Sequence, residues 1–289
     1  MSELPHPLIQ TIQAHQSQLT PKGRLLGQYI LASPRKVVFM TIKELAGYCR
    51  VSEATVVRFV NQLGFTGYSE FQQALRDVVD TELTLLERMD LTDVAAPNGE
   101  LFRRIVFEEM DNLKKLHESL DLTAADRVAD LLRQKKQIYV IGSRLSYTFA
   151  YYFGWSLSKI RPGVQIFRGS DNTTIDWLTI APADSLVIMI ATSRYPNDMI
   201  KIAKAVRRRE LTLSVITDST GCPLIQFAHE PLIAATRHIP LIGNLAALSC
   251  LLNFLIQLLA SKLGDDTKTH QAILEKTYLE NDLLFNLNS

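Results

Sequence analysis

Along roughly the first ninety residues, apolar side chains recur at the three- and four-residue intervals of a helix, and the pattern predicts helices. Thr20 followed by Pro21 is a favourable helix start, because threonine caps the helix and proline in the first turn sacrifices no hydrogen bond. Thr41 and Glu44 have the spacing of a capping box, and Gly64 suits the left-handed position after a helix. The predicted helices cover residues 7–19, 21–33, 42–48, 53–63 and 68–88.

The pattern changes after residue 99, where continuous apolar runs of strand length alternate with helical stretches. Buried strands that alternate with helices are typical of a parallel sheet covered by helices on both faces. The predicted strands are 138–141, 164–167, 185–190 and 213–217, with 232–235 as a weaker candidate. The predicted helices are 100–119, 123–134, 146–160, 171–180, 198–210, 240–263 and 269–285.

The chain of 289 residues is long enough for two domains, at roughly 100–200 residues each. Pro97, Asn98 and Gly99 interrupt the pattern with no long apolar run around them, which indicates a linker. We therefore predict a helical domain over 1–88, a linker over 89–100 and an α/β domain over 101–289.

The net charge of +1 hides an uneven distribution. Residues 1–76 carry eight basic and four acidic side chains, a net charge of +4, and such a basic segment suggests a polyanionic partner. Three scattered cysteines are too few for a disulfide framework, so a reducing, cytoplasmic setting is expected. The first residues do not have the pattern of a secretory signal. Polar residues and a glycine interrupt the apolar stretch 241–263, which favours a buried helix over a membrane span.

The helices predicted over 42–48 and 53–63 have the length and spacing of a helix-turn-helix. At about 100° per residue, the second helix divides into an apolar side and a polar side. Arginine can pair with guanine or phosphate, asparagine and glutamine can read adenine, and small side chains can lie against a thymine methyl. A serine at the helix start can bind phosphate together with the free N–H groups there. The DNA-contact candidates are Ser52, Ala54, Thr55, Arg58, Asn61 and Gln62.

Periodicity alone fits an ordinary helical hairpin with a solvated polar face equally well, but the full segment is more specific. The string TIKELAGYCRVSEATVVRFVNQLGFTGYSEFQQAL, residues 41–75, resembles the N-terminal domain of the RpiR (MurR/RpiR) family of bacterial transcriptional regulators. The resemblance implies a helix-turn-helix domain that binds operator DNA as a dimer, with contacts from Ser52, Thr55 and Arg58. The matching residues are Glu44-Leu45-Ala46, Val51-Ser52, Ala54-Thr55-Val56, Arg58-Phe59, Leu63-Gly64-Phe65, Gly67-Tyr68 and Phe71.

The same family carries a C-terminal sugar isomerase (SIS) domain, which the second part of this chain resembles more loosely. The resemblance implies a five-stranded parallel sheet with helices on both sides and a phosphosugar site at the carboxyl ends of the strands. That placement agrees with the general rule for open parallel sheets. Two loops dominate the family's site: G-x-G-x-S after the first strand and S-x-S-G-x-T-x-E after the third. In this chain they correspond to residues 142–146 and 191–198.

This chain departs from both loop patterns. Arg144 stands where the first loop has its second glycine, and Arg194 replaces the glycine of the second loop. Either the two arginines bind a phosphate or carboxylate bidentately, or they fill a pocket that no longer binds the family's ligands. We expect an anionic small metabolite, a sugar phosphate or a sugar acid. The candidate ligand-binding residues are Gly142, Ser143, Arg144, Ser146, Thr192, Ser193, Arg194 and Asp198.

The sequence has no P-loop, no H-E-x-x-H and no G-x-S-x-G, so neither a metal nor a cofactor is expected. His229, His238 and Glu230 could transfer protons in an aldose–ketose isomerase, although such residues more often lie in polar surface loops. Two hypotheses follow: a ligand-responsive transcriptional regulator that is not an enzyme, or an SIS-type sugar-phosphate isomerase with an accessory helical domain. The polar helix face favours the regulator. Because operator recognition gains from two half-sites, we expect a homodimer or homotetramer.

Overall fold

A computed structural model describes residues 7–82, 84–91, 97–169, 171, 173–235 and 246–283. The chain forms two compact units, one mainly N-terminal and one mainly C-terminal, and the division between their main segments falls after Glu108. Each unit has its own hydrophobic core. The predicted linker over 89–100 contains the end of one helix and the start of another, and its residues 92–96 lie outside the described part of the chain. The domain bounds therefore stay a prediction.

Short helices build the first unit, and the caps predicted at Thr20 and Thr41 are present. The Thr20 hydroxyl accepts a hydrogen bond from the Gly23 N–H at 3.1 Å, and Thr41 forms the reciprocal capping box with Glu44. Gly64 follows the fifth helix with φ at 92°, a conformation that glycine adopts without strain. The helices are α1 (Pro7–His15), α2 (Pro21–Ala32), α3 (Pro34–Val37), α4 (Ile42–Tyr48), α5 (Glu53–Gln62), α6 (Tyr68–Glu82) and α7 (Leu85–Leu91).

The single helix predicted over 68–88 is wrong, because α6 and α7 are separate helices. Thr84 starts the second of them through a further capping box. Its hydroxyl accepts from the Glu87 N–H at 3.2 Å, and the Glu87 carboxylate accepts from the Thr84 N–H at 2.8 Å. These two bonds satisfy donors that a helix start leaves open, so a new helix begins here.

The core of the first unit lies where α2, α4, α5 and α6 meet. Leu26, Leu45, Phe59 and Phe71 are buried there. The Phe71 ring packs edge-on against Phe59, with centroids 6.3 Å apart. Burial of each such side chain contributes about 1.5–3 kcal/mol, and the shared core holds α4 and α5 against each other.

The second unit contains the predicted five-stranded sheet. All neighbouring strands are parallel, and their order is β2-β1-β3-β4-β5. The strands are β1 (Gln137–Gly142), β2 (Val164–Arg168), β3 (Ser185–Ala191), β4 (Thr212–Thr217) and β5 (Glu230–Ile233). The helices are α8 (Asn98–Ser119), in which the division between units falls, α9 (Leu122–Gln134), α10 (Leu145–Ser158), α11 (Thr173–Ile180), α12 (Asn197–Arg208), α13 (Ala246–Leu263) and α14 (Asp265–Glu280).

Alternate side chains of each strand point to opposite faces of the sheet, and helices cover both. Ile138 and Val140 of β1 join the apolar core formed with α9, α10 and α13. Tyr139, between them, is buried on the other face, where its ring lies 5.8 Å from that of Phe167, which in turn contacts Trp177 of α11. The three central strands, β1, β3 and β4, are therefore almost fully buried, and the loops at their ends carry accessible polar groups.

Helix α13 is the one helix in the described ranges that is long and apolar enough to cross a membrane by length and composition. Its leucines, including Leu248, Leu251 and Leu255, pack into the core beside α9 and α10. A core helix passes the same test of length and composition. The predicted start of this helix, at residues 240–245, lies outside the described residues.

Candidate functional site

Helices α4 and α5 are joined by a tight turn. Arg50 lies in the left-handed region with φ at 50°, and the Val51 N–H donates to the Ala46 carbonyl at 3.0 Å. Ser52 then caps α5, because its hydroxyl accepts from the Thr55 N–H at 3.2 Å. Two short helices closed by such a turn and packed on one core have the geometry of a helix-turn-helix.

The outer face of α5 presents side chains of the types that recognise base edges in DNA. Ala54, Arg58, Asn61 and Gln62 are exposed, as predicted, and Ser52 is exposed at the start of the helix. The apolar side of the same helix is buried in the core. The second helix of the motif is therefore amphipathic in the way that a groove-reading helix must be.

Thr55 is the exception, and its predicted outward position is wrong. The residue is 9 % exposed, and its hydroxyl lies 2.9 Å from that of Ser52. It precedes the buried Phe59 by four residues, so it lies on the inner border of the helix, one turn before that ring. Thr55 therefore supports the helix start through Ser52 instead of facing outward.

A groove of about 540 Å³ runs between the start of α2 and the outer side of α5. Lys22, which the sequence reasoning missed, lines it together with Arg58. Both helices begin at this groove, and the N–H groups at helix starts favour anions. The groove is therefore suited to a phosphate of the nucleic-acid backbone. Its lining residues are Thr20, Pro21, Lys22, Gly23, Ser52, Thr55, Arg58, Phe59 and Gln62.

In the second unit, the strand order reverses between β1 and β3. The chain passes from β1 outward to β2 and then returns to the other side of β1. Ligands of open parallel sheets bind at such a switch point, outside the carboxyl ends of the two strands. The two loops identified from the sequence follow β1 and β3, so they flank this point.

A pair of hydroxyl groups joins the two loops. Ser146 Oγ lies 3.0 Å from Thr192 Oγ1 and accepts from the Thr192 N–H at 3.1 Å. Both residues are buried. Gly142 is required beside them, because a Cβ there would lie 2.5 Å from the Ser146 carbonyl oxygen. The close approach of β1 to the start of α10 therefore depends on this glycine.

The two loop arginines have the backbone conformation expected of glycines. Arg144 has φ 53° and ψ −128°, and Arg194 has φ 66°. Side chains other than glycine rarely adopt such angles. Arg144 is exposed and Arg194 is half-buried, so both guanidinium groups are accessible from solvent. The chain therefore keeps the loop shape and adds two cations to it.

Asp218, directly after β4, is the group that sequence reasoning missed. Its carboxylate is 4 % exposed and accepts from the Ser193 hydroxyl at 2.7 Å and from the Ser193 N–H at 2.9 Å. The Tyr195 hydroxyl donates to its other oxygen at 3.1 Å. A polar residue immediately after a buried strand was the available signal, since strand ends at this edge carry functional groups.

The predicted ligand-binding residues thus fall into two groups. Gly142, Ser143, Ser146 and Thr192 are buried in the frame of the loops, and both donors of Ser193 are taken by Asp218. The accessible members are Arg144, Arg194 and Asp198, of which Asp198 pairs with Lys201 at 3.3 Å. A third arginine, Arg168, ends β2 beside Gly142 and lies 4.7 Å from the Tyr147 ring centroid.

The candidate acid–base residues lie elsewhere. His229 and Glu230 stand at the amino end of β5, whereas the two loops follow the carboxyl ends of β1 and β3. Burial and the neighbouring Arg207 guanidinium lower the pKa of His229, and the Leu213 N–H donates to its Nδ1 at 3.0 Å. Glu230 forms an ion pair with Arg127 at 2.8 Å. His238 lies outside the described residues.

The fold and these two sites define a class of protein: a helix-turn-helix DNA-binding unit joined to a sugar isomerase domain. Residues 7–82 match the helix-turn-helix domain of the rpiR family, and residues 131–260 match the SIS domain. The chain is 30% identical over 224 residues to the transcriptional regulator HexR of Pseudomonas aeruginosa, covering 75% of each chain. It therefore belongs to the RpiR family of transcriptional regulators.

Further relatives agree with this assignment. HexR of Escherichia coli is 26% identical over 238 residues, which cover 81% of this chain and 78% of that protein. Among solved structures, NanR of Vibrio vulnificus complexed with ManNAc-6P matches 96% of this chain and 100% of its own, with a TM-score of 0.60 and 22% identity. The sugar isomerase domain of an RpiR transcription factor from Sphaerobacter thermophilus matches with a TM-score of 0.55 and 20% identity. The last two likenesses are of fold.

Proposed function

We propose that this regulator controls bacterial carbohydrate or related carbon metabolism, and that an anionic metabolite bound in its SIS domain changes its affinity for operator DNA. The observation that carries the proposal is the placement of Arg144 and Arg194 at the switch point of the sheet, on loops that Ser146 and Thr192 join. Two accessible guanidinium groups favour a phosphate or a carboxylate, because each can bind such a group bidentately.

The operator contacts belong to the outer face of α5. We assign base contacts to Arg58, Asn61 and Gln62, with Ala54 against a thymine methyl. Ser52 contacts phosphate at the helix start, where Thr55 holds its hydroxyl in place. The +4 charge of residues 1–76 adds the salt-dependent, sequence-independent part of the affinity.

The ligand is a sugar phosphate or a sugar acid. Arg144 and Arg194 hold its anionic group, and Gly142, Ser143, Ser146 and Thr192 form the rigid frame that positions them. Asp198 is exposed on the first turn of α12, at the end of the second loop. NanR was solved with ManNAc-6P, a phosphorylated sugar, which supports this class of ligand.

The chain is divided into two domains by a linker. The DNA-binding domain covers residues 1–88, a linker 89–100 and the SIS domain 101–289. The protein acts as a cytoplasmic homodimer or homotetramer, because one helix-turn-helix makes few base contacts and two half-sites multiply the affinity. It is a regulator and not an isomerase, since His229 and Glu230 lie at the amino end of β5, remote along the strands from the loop edge.

Fluorescence anisotropy of a labelled promoter fragment tests the proposal. We expect the full chain to bind the fragment at low salt, and a panel of sugar phosphates and sugar acids to contain a compound that shifts the affinity by about 5–150-fold. The variant with Arg144→Ala and Arg194→Ala should bind DNA normally and lose that response. A protein that ignores promoter DNA with and without metabolites, yet interconverts a sugar phosphate, would refute the proposal in favour of the isomerase.

A further inference from the structure

The loop after β3 already binds a carboxylate of the same chain, that of Asp218. The Ser193 N–H donates to both Asp218 oxygens, at 3.1 and 2.9 Å, and the Ser193 hydroxyl and Tyr195 hydroxyl donate to the same carboxylate. With 4 % exposure, Asp218 is sealed from solvent. A backbone N–H and hydroxyls in the loop before a helix are the donors that an external phosphate would use.

We propose that Asp218 is a specificity-determining residue, an internal carboxylate that keeps the anionic group of a ligand away from the Ser193 donors. The inference rests on the proposed anionic ligand of the SIS domain. Because Asp218 and a phosphate would compete for the same hydrogen atoms at about 3 Å, both cannot occupy the loop. The ligand's anion is left to the side chains of Arg144 and Arg194, and phosphate gains no contact with the Ser193 donors.

The geometry supports a role for the Asp218 carboxylate in excluding a second anion, in addition to holding the loop. Both Ser193 donors, backbone and side chain, point at one charged group, which leaves the loop without a donor for a second anion at this residue. Asp218 directly follows β4, the strand next to β3, so the end of the sheet holds its position. Asparagine at position 218 would remove the like charge and keep one acceptor oxygen, whereas the shorter serine would also free the Ser193 donors.

Isothermal titration of the full-length protein with inorganic phosphate at fixed ionic strength tests this. We expect Asp218→Asn and Asp218→Ser to bind phosphate at least about tenfold more tightly than the wild type, because a like charge beside the anion is removed. Asp184→Asn is the matched control. It removes the same charge just before the amino end of β3, where Asp184 pairs with Lys135, and it should leave phosphate binding unchanged.

The substitution Ser193→Ala distinguishes two roles of Asp218: exclusion of an anion, and support of the loop alone. In the wild-type background it should not alter phosphate or metabolite affinity, because the hydroxyl serves Asp218, whereas in Asp218→Asn it should cancel part of the gain, since alanine removes the hydroxyl and keeps the backbone N–H. A wild-type protein that loses metabolite binding through Ser193→Ala would overturn the proposal, and this measurement stands even where an Asp218 variant folds poorly.

The two proposals fail in different ways. Folded Asp218 variants that bind phosphate no better than the wild type overturn the role of Asp218, while the anionic-ligand proposal stands as long as Arg144→Ala and Arg194→Ala abolish the metabolite response. A metabolite response that survives both arginine substitutions removes the arginines from the site. A phosphate gain in Asp218→Asn would still support exclusion by the carboxylate.

Discussion

Ser146 Oγ lies 3.0 Å from Thr192 Oγ1, and this contact couples the start of α10 to the loop after β3. The same Ser146 oxygen accepts the buried Thr192 N–H. One side chain thus satisfies two groups on the other loop, across 46 residues of sequence. The shape of the switch-point crevice depends on it.

Replacing Ser146 by alanine should therefore destabilise the SIS domain. The Thr192 N–H would be left buried without its acceptor, which costs about 1–3 kcal/mol. Urea unfolding measures this loss. Ser156→Ala on the same helix is the control, because the Ser156 hydroxyl only donates to the Tyr152 carbonyl one turn back, and its removal should cost less than about 0.5 kcal/mol. Equal stability of the two variants would contradict the coupling.

Lys22 should contact the DNA backbone and carry no sequence information. Lys22→Ala is expected to weaken binding to all DNA sequences alike and to reduce the slope of log affinity against log salt by about 1. Arg58→Ala should weaken the preferred operator selectively, by about 1–3 kcal/mol. Lys268→Ala removes the same charge from α14 in the other unit and should leave both quantities unchanged. A salt slope that Lys22→Ala does not alter would remove Lys22 from the interface.

Arg144 holds a strained backbone conformation, with φ 53° and ψ −128°. Arg144→Gly and Arg144→Ala remove the same guanidinium, but only glycine relieves the strain. We expect the glycine variant to be the more stable by about 1 kcal/mol in urea unfolding. Both variants should lose affinity for the anionic ligand equally. If alanine proved as stable as glycine, the strain at this residue would be negligible.

His229 should make stability depend on pH near neutrality. Burial, followed by the Arg207 charge, lowers the pKa of His229 below its ordinary value of about 6.5. The folded state therefore binds fewer protons than the unfolded state just below that pH. The stability that neutral His229 contributes is complete above about pH 6.5, and it is lost as the pH falls below that value through the lower pKa of the folded state.

His229→Asn tests this, because the asparagine oxygen can accept the Leu213 N–H in place of Nδ1. Denaturant unfolding at about pH 7.5 and about pH 5.5 should show a smaller loss of stability in the variant than in the wild type. Parallel losses in both proteins would mean that another group titrates.

Much of the architecture was predictable from the sequence because its signals are local. Thr20 and Thr41 cap helices through residues three positions away, and a continuous apolar run of strand length indicates a buried strand. The helix-turn-helix and the five-stranded parallel sheet were confirmed, whereas the order of the strands was not predicted. The Thr84 capping box was equally local, but the continuous helical pattern over 68–88 concealed it.

The sequence by itself determined the two kinds of unit, the recognition helix and the positions of the loop arginines. Tertiary structure alone decided that Thr55 is buried, that Lys22 and Arg58 line one groove, and that Asp218 occupies the donors of Ser193. These last relationships join residues 25 or more positions apart in sequence. Periodicity reports which side of an element is apolar, whereas the packing of elements decides which polar groups meet.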